Sequence, residues 1–529
     1  MNAPQRITAG LADTPTEVDV VVIGVGVTGA GVALDAVSRG LSVLAVDAHD
    51  LAFGTSRWSS KLVHGGLRYL ANGQVGVAHE SAVERGILME TTAPHLTHPM
   101  QSLLPIGAGT TRTQAAIARG GLMAGDLLRR AAHTSRDILP PPRRVDRAEA
   151  LRLAPPLRRD GLRGGLLGWD GQLEDDARLV TTIARTAADR GAAVRTRARV
   201  LAATGVSRLA GARTSTTLVR LRDELTGAVH EVRARAVVNA AGVWAGELVD
   251  DVRLRPSRGT HLVLRADTLP GLDVAVFAPI PGEHNRFVLV LPQPDGTVYV
   301  GLTDEPVDGP IPDVAQPSEV EIGFLLDVVS ASLARPLRRD DVVGSYAGLR
   351  PLLDAGPGST ADLSRKHATI VGRSGVVTIV GGKLTTYRRM AEDAVDAAVA
   401  HAGLDAGPCV TATLPLAGAD ARPALAALAL RDGRPGFARL VRRFGADAPL
   451  VLRTAASTTG LDPDALLAPV ADRVPVTLAE LVFGVTHEGA CDVDDLLDRR
   501  TRVGLVPADR VLAVPAAEQA LELAAGAAL

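Results

Sequence analysis

The chain has 529 residues, of which 46% are hydrophobic and 22% are charged. At about 100–200 residues per domain, this length predicts two to four domains, and the apolar content excludes disorder as the main state. The formal charge at pH 7 is −2, so the charge balance gives no global attraction to nucleic acid or to an anionic membrane.

The cysteines and the N-terminus exclude several further classes. Cys409 and Cys491 are the two cysteines, and they lie too far apart in the sequence for a disulfide scaffold or a cysteine-based zinc site. The polar N-terminus has no apolar signal-peptide core, and no run approaches the ~18 apolar residues of a spanning helix. We therefore expect a cytoplasmic protein without a metal site, and peripheral contact with the inner face of the cell membrane is left open.

The first strong element is a buried strand over residues 18–23, with the apolar run of a parallel sheet. Gly24-Val25-Gly26-Val27-Thr28-Gly29 follows, and a helical pattern then extends through Ser38. A second short strand, residues 42–46, ends at Asp47. The order of these elements predicts a βαβ unit that opens the fold.

Each part of this unit suits a bound dinucleotide. Gly24 permits the tight turn, Gly26 lets the backbone approach a pyrophosphate, and Gly29 lets the helix and the strand pack closely. The helix N-terminus offers free N–H groups and a partial positive charge to the phosphates. Asp47 is placed to accept hydrogen bonds from ribose hydroxyls. The motif predicts a dinucleotide site but does not distinguish NAD from FAD.

Two later segments favour FAD. The segment Asn239-Ala240-Ala241-Gly242-Val243-Trp244 ends one predicted strand. Gly381-Gly382-Lys383-Leu384-Thr385-Thr386 ends another, over residues 376–380, and begins a helix that extends to about Ala400. A helix N-terminus at that point can stabilise negative charge on a reduced flavin. The sequence has no second strand–GxGxxG–helix unit, so we expect no separate NADH site.

The remaining patterns complete the predicted architecture. Alternating apolar stretches over residues 260–264 and 286–300 predict antiparallel strands of a second sheet, and the chain after Pro408 has a helical pattern. We expect an α/β (α+β) fold with a Rossmann-like FAD-binding domain, an inserted antiparallel-sheet substrate domain and an α-helical C-terminal domain. The predicted bounds are 1–16 for a flexible N-terminal tail, 17–405 for the FAD module and 406–529 for the helical domain. Within the module, the FAD-binding segments are about 17–105, 165–255 and 345–405, and the substrate-domain segments are about 106–164 and 256–344.

The densest polar cluster is SSKLVHGGLRYL, residues 59–70. Together with SYAGLRPL at 345–352 and GGKLTTYR at 381–388, it strongly resembles the aerobic, quinone-linked, FAD-dependent glycerol-3-phosphate dehydrogenases. The segments DDARLV at 175–180 and GTH at 259–261 match this family in order and spacing. The resemblance covers about residues 18–400 and is thinner towards the C-terminus.

The resemblance implies that FAD is the cofactor and that sn-glycerol 3-phosphate is oxidised to dihydroxyacetone phosphate, with a quinone receiving the electrons. One alternative is a glycerol-3-phosphate oxidase that passes the electrons to oxygen and forms hydrogen peroxide. A second alternative is a flavin-binding protein without turnover, which the intact substrate motifs disfavour. A dimer is the expected oligomeric state.

The residue types in these motifs suit a phosphorylated substrate. A phosphomonoester is close to a dianion at pH 7, and guanidinium groups bind such oxygens bidentately. We therefore predict that Arg68 and Arg350 bind the substrate, with Lys383 as a point charge and Tyr69 as a hydroxyl donor. Arg350 is also placed to stabilise a developing alkoxide.

Hydride transfer from C2 of the substrate also requires a base for the hydroxyl proton, and a histidine titrates in a suitable range. His261 and His64 are both candidates, because the family likeness places both near the substrate. A slight preference goes to His261. Asp175 and Asp176 are interpreted as the cap of a helix that begins at Ala177, and not as ligand contacts.

The residues predicted to contact FAD lie in the motifs above or in the turn Gly54-Thr55-Ser56. They are Gly24, Gly26, Gly29, Asp47, Thr55, Ser56, Lys61, Leu62, His64, Gly242, Gly382, Leu384 and Thr385.

One segment departs from the membrane-associated members of the family, in which the equivalent region is rich in aromatic and large apolar residues. Residues 111–120 contain no aromatic residue and one large aliphatic residue, Ile117. Insertion of such a face into lipid gains little free energy, whereas its basic residues can still hold it loosely to anionic headgroups.

Overall fold

Two large sheets, of nine and ten strands, form the framework of the part of the chain that the structure describes. The structure is a computed structural model that describes residues 5–66, 73–107, 112–206, 216–283, 286–354 and 366–526. The strands are β1 (Thr8–Ala9), β2 (Glu17–Ile23), β3 (Val43–Val46), β4 (Leu62–Val63), β5 (Thr97–Pro105), β6 (Arg143–Val145), β7 (Gly165–Leu173), β8 (Ala193–Thr196), β9 (Ala198–Val206), β10 (Thr216–Asp223), β11 (Val229–Asn239), β12 (Ser257–Arg265), β13 (Ala275–Pro279), β14 (Phe287–Pro292), β15 (Thr297–Gly301), β16 (Glu305–Pro306), β17 (Val342–Arg350), β18 (Ala368–Val371), β19 (Val377–Val380), β20 (Pro469–Ala471) and β21 (Val474–Thr477).

The α-helices follow in the same order along the chain. They are α1 (Val27–Ser38), α2 (Val75–Ile87), α3 (Arg112–Ala131), α4 (Arg147–Leu153), α5 (Asp176–Asp189), α6 (Ala245–Leu248), α7 (Glu319–Ser332), α8 (Tyr387–Ala402), α9 (Arg422–Asp432), α10 (Pro435–Phe444), α11 (Ala448–Thr459), α12 (Pro463–Leu467), α13 (Leu478–Glu488) and α14 (Pro507–Gly526).

The first sheet has a parallel centre in the order β8–β3–β2–β11–β19. Its strands are buried on both faces, which explains the continuous apolar run that begins the fold. Val20 and Val22 of β2 pack in the core that contains α1, α5 and α8, whereas Val21 and Ile23 pack in a second core on the opposite face. The predicted βαβ unit therefore forms as β2–α1–β3.

The second sheet is mostly antiparallel, and β12 lies between β15 and β17 near one end of it. Helix α7 covers one face, where Ile322 and Leu325 share a core with Leu262 and Leu264 of β12. The opposite face of β12 and β17 carries polar side chains. The two sheets and the helices that follow residue 420 confirm the predicted fold class.

Part of the predicted flexible tail is ordered. β1 pairs in parallel with β8, and Ile7 and Leu11 are buried against the rest of the protein. Burial of these two apolar side chains holds the segment on the edge of the sheet. The polar sequence around them gave no indication of this contact. The predicted tail is therefore wrong for residues 5–11.

The C-terminal helices have a core of their own, which includes Phe437, Leu440 and Phe483. They contact the FAD module through buried ion pairs as well as through apolar packing. Arg500 donates to both carboxylate oxygens of Asp50, each at 2.8 Å. The domain boundary at residues 405 and 406 stays a prediction.

A second buried ion pair leads to a test of how the C-terminal helices are held. Arg178 on α5 donates through two nitrogens to the carboxylate of Glu488 on α13, and both side chains are at most 1% exposed. Arg178→Met removes both of these hydrogen bonds and leaves the buried carboxylate with the more distant Arg185, at 3.8 Å, so we expect the free energy of unfolding to fall by about 3 kcal/mol. Denaturant unfolding measures this loss. Arg143→Met, which breaks a pair with Glu149 in which the arginine is half exposed, is the control and is expected to leave the transition unchanged.

Candidate active site

The predicted cofactor motifs meet at one edge of the first sheet. Residue pairing aligns the carboxyl ends of β3, β2, β11 and β19, because Ile23 lies opposite both Val46 and Asn239, and Asn239 lies opposite Thr378. The four segments that leave this edge are the glycine-rich turn after β2, Asp47 after β3, the turn at residues 240–244 and the turn at residues 381–386. Ligands of open parallel sheets bind at this edge.

The geometry of the glycine-rich turn fits a dinucleotide. Gly24 has φ +90°, which a glycine adopts without strain. A Cβ at Gly29 would overlap the carbonyl oxygen of Gly24, so only glycine lets α1 begin this close to β2. A Cβ at Gly242 would meet no heavy atom within 4 Å, so the turn after β11 leaves open space beside its backbone.

Asp47 follows β3 and its side chain turns back to the glycine-rich turn. Its Oδ2 accepts the backbone N–H of Val25 at 2.7 Å, and its Oδ1 accepts that of His49 at 2.9 Å. Burial raises the pKa of Asp47 to about 6, although these two backbone donors oppose the shift. A further hydroxyl donor, such as a ribose supplies, would stabilise the carboxylate in this environment.

A linking segment, residues 54–64, joins this edge to the polar face of the second sheet. The Ser56 hydroxyl accepts the first helical N–H of α1, from Val27, at 2.9 Å. The Thr55 hydroxyl donates to the carbonyl of Leu349 on β17 at 2.6 Å. Ser60 Oγ lies 2.8 Å from Nε2 of His261 on β12. The segment therefore places the dinucleotide edge and the face that carries His261 side by side.

His261 lies on this face and is buried. Its ring stacks on that of Tyr346 of β17, with centroids 4.7 Å apart. A Cβ at Gly301 of the neighbouring strand would overlap the imidazole, so this glycine provides the room in which the ring lies. Burial holds the pKa of His261 well below its usual value, and the nearby charges of Lys61 and Arg350 act in the same direction. These effects favour the neutral imidazole, in which one ring nitrogen carries no proton.

Arg350 ends β17 on the same face, opposite Ser257. Its Nη1 donates to Ser257 Oγ at 3.1 Å and to Asp304 Oδ1 at 3.3 Å, and its Nη2 donates to the carbonyl of Thr303 at 3.2 Å. These acceptors fix the plane of the guanidinium. Sequence reasoning missed all three, because only the strand register and the turn after β15 bring them to Arg350.

Lys61 was predicted to contact the cofactor, but its ammonium lies in the interior. Nζ donates to Asp176 Oδ2 at 2.8 Å and to the carbonyl of Arg57 at 2.7 Å, and the side chain is fully buried. Asp175 is the N-cap of α5 and accepts the backbone N–H groups of Ala177 and Arg178, as the cap interpretation predicted. Asp176 instead holds Lys61.

The turn after β19 brings several more predicted residues towards the linking segment. The backbone N–H of His64 donates to Thr385 Oγ1 at 3.3 Å, and Lys383 Nζ donates to Ser81 Oγ on α2 at 2.6 Å. The other predicted residues in this region are Leu62 and Leu384, which pack partly buried against the protein cores, and Gly382, which packs against Met390. Arg68 and Tyr69 lie outside the described residues, and their predicted roles stay predictions.

Gly259 offers a test of the space around Arg350. A Cβ at this position on β12 would overlap Nη2 of Arg350. We expect Gly259→Ala to displace the guanidinium and to lower kcat/KM by about tenfold or more, with FAD content unchanged. The control is Gly323→Ala on α7, where a Cβ would meet no heavy atom within 4 Å. If Gly259→Ala and Gly323→Ala had the same kcat/KM, the result would contradict a role for Arg350 in the reaction.

Comparisons with known proteins identify the family to which the chain belongs. Residues 19–388 match the family described as FAD dependent oxidoreductase, and residues 409–527 match the C-terminal domain of alpha-glycerophosphate oxidase. The chain is 53% identical over 507 residues to Glycerol-3-phosphate dehydrogenase 1 of Mycobacterium tuberculosis, covering 95% of this chain and 94% of that protein. It is 34% identical to the mitochondrial glycerol-3-phosphate dehydrogenase of Mus musculus, covering 97% and 70% of the two chains.

Solved structures show the same fold. The crystal structure of glycerol-3-phosphate dehydrogenase from Bacillus halodurans complexed with FAD aligns with a TM-score of 0.72 at 27% identity, over 97% of this chain and 92% of that one. The structure of L-alpha-glycerophosphate oxidase from Mycoplasma pneumoniae with FAD bound aligns with a TM-score of 0.56 at 18% identity, over 76% and 99% of the two chains, and shows the fold alone.

The fold and the dinucleotide edge thus define an FAD-dependent oxidoreductase, which confirms the predicted cofactor and the prediction of an enzyme. Within that class, the chain belongs to the FAD-dependent glycerol-3-phosphate dehydrogenase family.

Proposed function

We propose that this protein oxidises sn-glycerol 3-phosphate to dihydroxyacetone phosphate and passes the electrons to a quinone. The observation that carries the proposal is the buried, stacked imidazole of His261 on the same sheet face as the anchored guanidinium of Arg350, beside the dinucleotide edge. The relatives named as glycerol-3-phosphate dehydrogenases support the choice of substrate.

FAD, when bound, supplies a two-electron acceptor for the hydride that leaves C2 of the substrate. The chain's own residues perform the rest. His261 takes the proton of the C2 hydroxyl, so that the carbon–oxygen bond becomes a carbonyl as the hydride departs. Arg350 binds substrate oxygens and stabilises the negative charge that develops on the C2 oxygen. Arg68, Tyr69 and Lys383 remain the proposed partners of the phosphate.

The substrate is tested with purified holoenzyme and a water-soluble quinone. We expect dihydroxyacetone phosphate to form from sn-glycerol 3-phosphate, and we expect kcat/KM for glycerol to be at least about 100-fold lower, because glycerol lacks the phosphate. Comparable rates with glycerol and its phosphate would contradict the assignment of the basic residues to a phosphate.

The acceptor is tested in the same assay. Oxygen is the second candidate, because the C-terminal residues match a domain described for alpha-glycerophosphate oxidase. We expect the quinone to support turnover under nitrogen, and we expect little hydrogen peroxide in air. Stoichiometric peroxide and no quinone reduction would establish the oxidase instead.

We further propose that quinone is reached by peripheral contact between α3 and an anionic membrane. None of the helices in the described ranges is long and apolar enough to cross a bilayer. Helix α3 exposes Ile117, Met123 and Leu127, together with Arg119 and Arg130 on its surface. Apolar side chains with flanking arginines suit a headgroup interface. Sedimentation with anionic vesicles tests this contact. Leu127→Asp should weaken the binding, and 0.5 M salt should reduce it, because the Debye length at that ionic strength is about 4–5 Å.

A further inference from the structure

Arg502 of the C-terminal domain extends to the substrate half of the molecule. Its side chain is buried, and its Nη1 donates to the phenol oxygen of Tyr299 on β15 at 2.9 Å. Its Nη2 donates to the carbonyl of Glu174, just before α5. The backbone of Arg502 has φ +68°, a left-handed conformation that costs a non-glycine residue roughly 1–2 kcal/mol. The contacts of the guanidinium keep the residue in this conformation.

Tyr299 in turn contacts the residue that holds the catalytic imidazole. Its ring meets that of Tyr346 edge to face, with centroids 5.7 Å apart and planes at 87°. Tyr346 stacks on His261 at 4.7 Å with an angle of 9°, and its hydroxyl donates to the carbonyl of Ser59 at 3.0 Å. Burial raises the pKa of Tyr299 and of Tyr346, so both stay neutral phenols.

These contacts form one continuous series from the C-terminal domain to the imidazole. Aromatic pairs in such offset and edge-to-face geometries contribute about 0.5–1.5 kcal/mol beyond their burial and favour a defined ring orientation. Ser60 holds His261 at one nitrogen, whereas Tyr346 holds the plane of the ring. If the ring of Tyr299 shifts away from Tyr346, Tyr346 is held less firmly and the plane of the imidazole can turn.

We propose that Arg502 is a positioning residue for His261, acting through Tyr299 and Tyr346, and that the C-terminal domain thereby sets the geometry of proton transfer. This inference rests on the proposed function, in which His261 is the base. Arg502 itself touches neither the substrate nor the reacting atoms. The charged groups that bear on His261 are Lys61 and Arg350, and the charge of Arg502 in turn lowers the pKa of Lys61. Tyr299→Phe leaves all three charges in place, so it separates a change in ring position from a change in charge.

The test compares two variants that remove the same contact from opposite sides. Arg502→Met removes the guanidinium, and Tyr299→Phe removes the hydroxyl acceptor while it keeps the aromatic ring. The control is Arg510→Met, which breaks ion pairs with Asp494 and Asp498 elsewhere in the C-terminal domain. The rate of anaerobic flavin reduction by sn-glycerol 3-phosphate is measured for each holoenzyme, together with FAD content and KM.

We expect both variants to lower the rate of flavin reduction about three- to tenfold, with KM within about twofold of the parent, because orientation rather than binding is affected. The double variant should be no slower than Arg502→Met alone, since the two residues act through one contact. Arg510→Met should match the parent.

Rates within about twofold of the parent for both single variants would overturn the inference, as would fully additive losses in the double variant. If Arg502→Met does not fold, Tyr299→Phe alone tests the inference, because this substitution removes a single oxygen atom. A parent enzyme whose flavin is not reduced by this substrate contradicts the proposed function itself. A parent that is reduced, with variants that match it, contradicts only the role of Arg502.

Discussion

Arg350→Lys is expected to lower kcat/KM for sn-glycerol 3-phosphate by about 100-fold, with FAD still bound. The guanidinium is fixed by Ser257, Asp304 and the carbonyl of Thr303 at the same time, and a lysine ammonium has neither the planar fork nor the reach to keep these contacts. Charge is retained, so the loss reports geometry. Steady-state kinetics measure kcat/KM, and the visible spectrum of the holoenzyme measures the amount of bound FAD.

A matched arginine on the neighbouring strand provides the control. Arg265 ends β12 and binds Asp509 through two nitrogens, and its side chain is 19% exposed against 17% for Arg350. Arg265→Lys changes the same chemistry at the opposite end of β12 from Ser257 and Arg350, and we expect kcat/KM to stay within about twofold of the parent. Arg350→Lys with activity within a few-fold of the parent would show that Arg350 does not bind the reacting part of the substrate.

His261→Asn is expected to slow flavin reduction by about 10²–10⁴-fold, the usual contribution of a general base. Asparagine keeps a polar group near Ser60 but cannot accept the proton. His64→Asn is the informative comparison, because both histidines were candidates. His261 has a neutral, stacked imidazole next to Arg350, so we expect the larger loss at His261. A larger loss at His64 would assign the base to His64.

The pH dependence of the parent enzyme follows from the same environment. Burial holds the pKa of His261 well below its usual value, so the imidazole remains unprotonated as the pH falls through the range in which an exposed histidine titrates. Flavin reduction should therefore lose no rate through this group between about pH 8 and pH 6.5, and should decline only in more acidic solution. A midpoint near the ordinary histidine pKa, about 6.5, would contradict a buried base.

The dinucleotide unit could be predicted because its signals are local. The strand, the glycine turn and the helix are consecutive in the sequence, and the structure has them as β2, the turn at Gly24 and α1. Parallel pairing then places Asp47 and the turns after β11 and β19 at one edge, as topology requires once these segments are recognised as strands.

The polar partners of the site residues could not be predicted in this way. Lys61 occurs in a motif beside His64, but its partner Asp176 is on a helix far along the chain, and this contact determines where the ammonium lies. The contact of Ser60 with His261 is equally remote in sequence. Such pairs depend on how the second sheet packs against the first, which no local pattern encodes.

The order at the N-terminus was missed for a related reason. β1 is two residues long, and it is held because Ile7 and Leu11 enter cores formed by distant segments. Two apolar side chains in a polar stretch give no periodic signal.

In the proposed function, one site binds FAD and takes a hydride from a phosphorylated alcohol. An anaerobic titration of the purified holoenzyme with sn-glycerol 3-phosphate, followed in the visible flavin bands, tests it most directly. We expect one equivalent of this substrate to bleach the flavin, and we expect glycerol and lactate to leave it oxidised. A flavin that stays oxidised with sn-glycerol 3-phosphate, in a protein with its full complement of FAD, would contradict it.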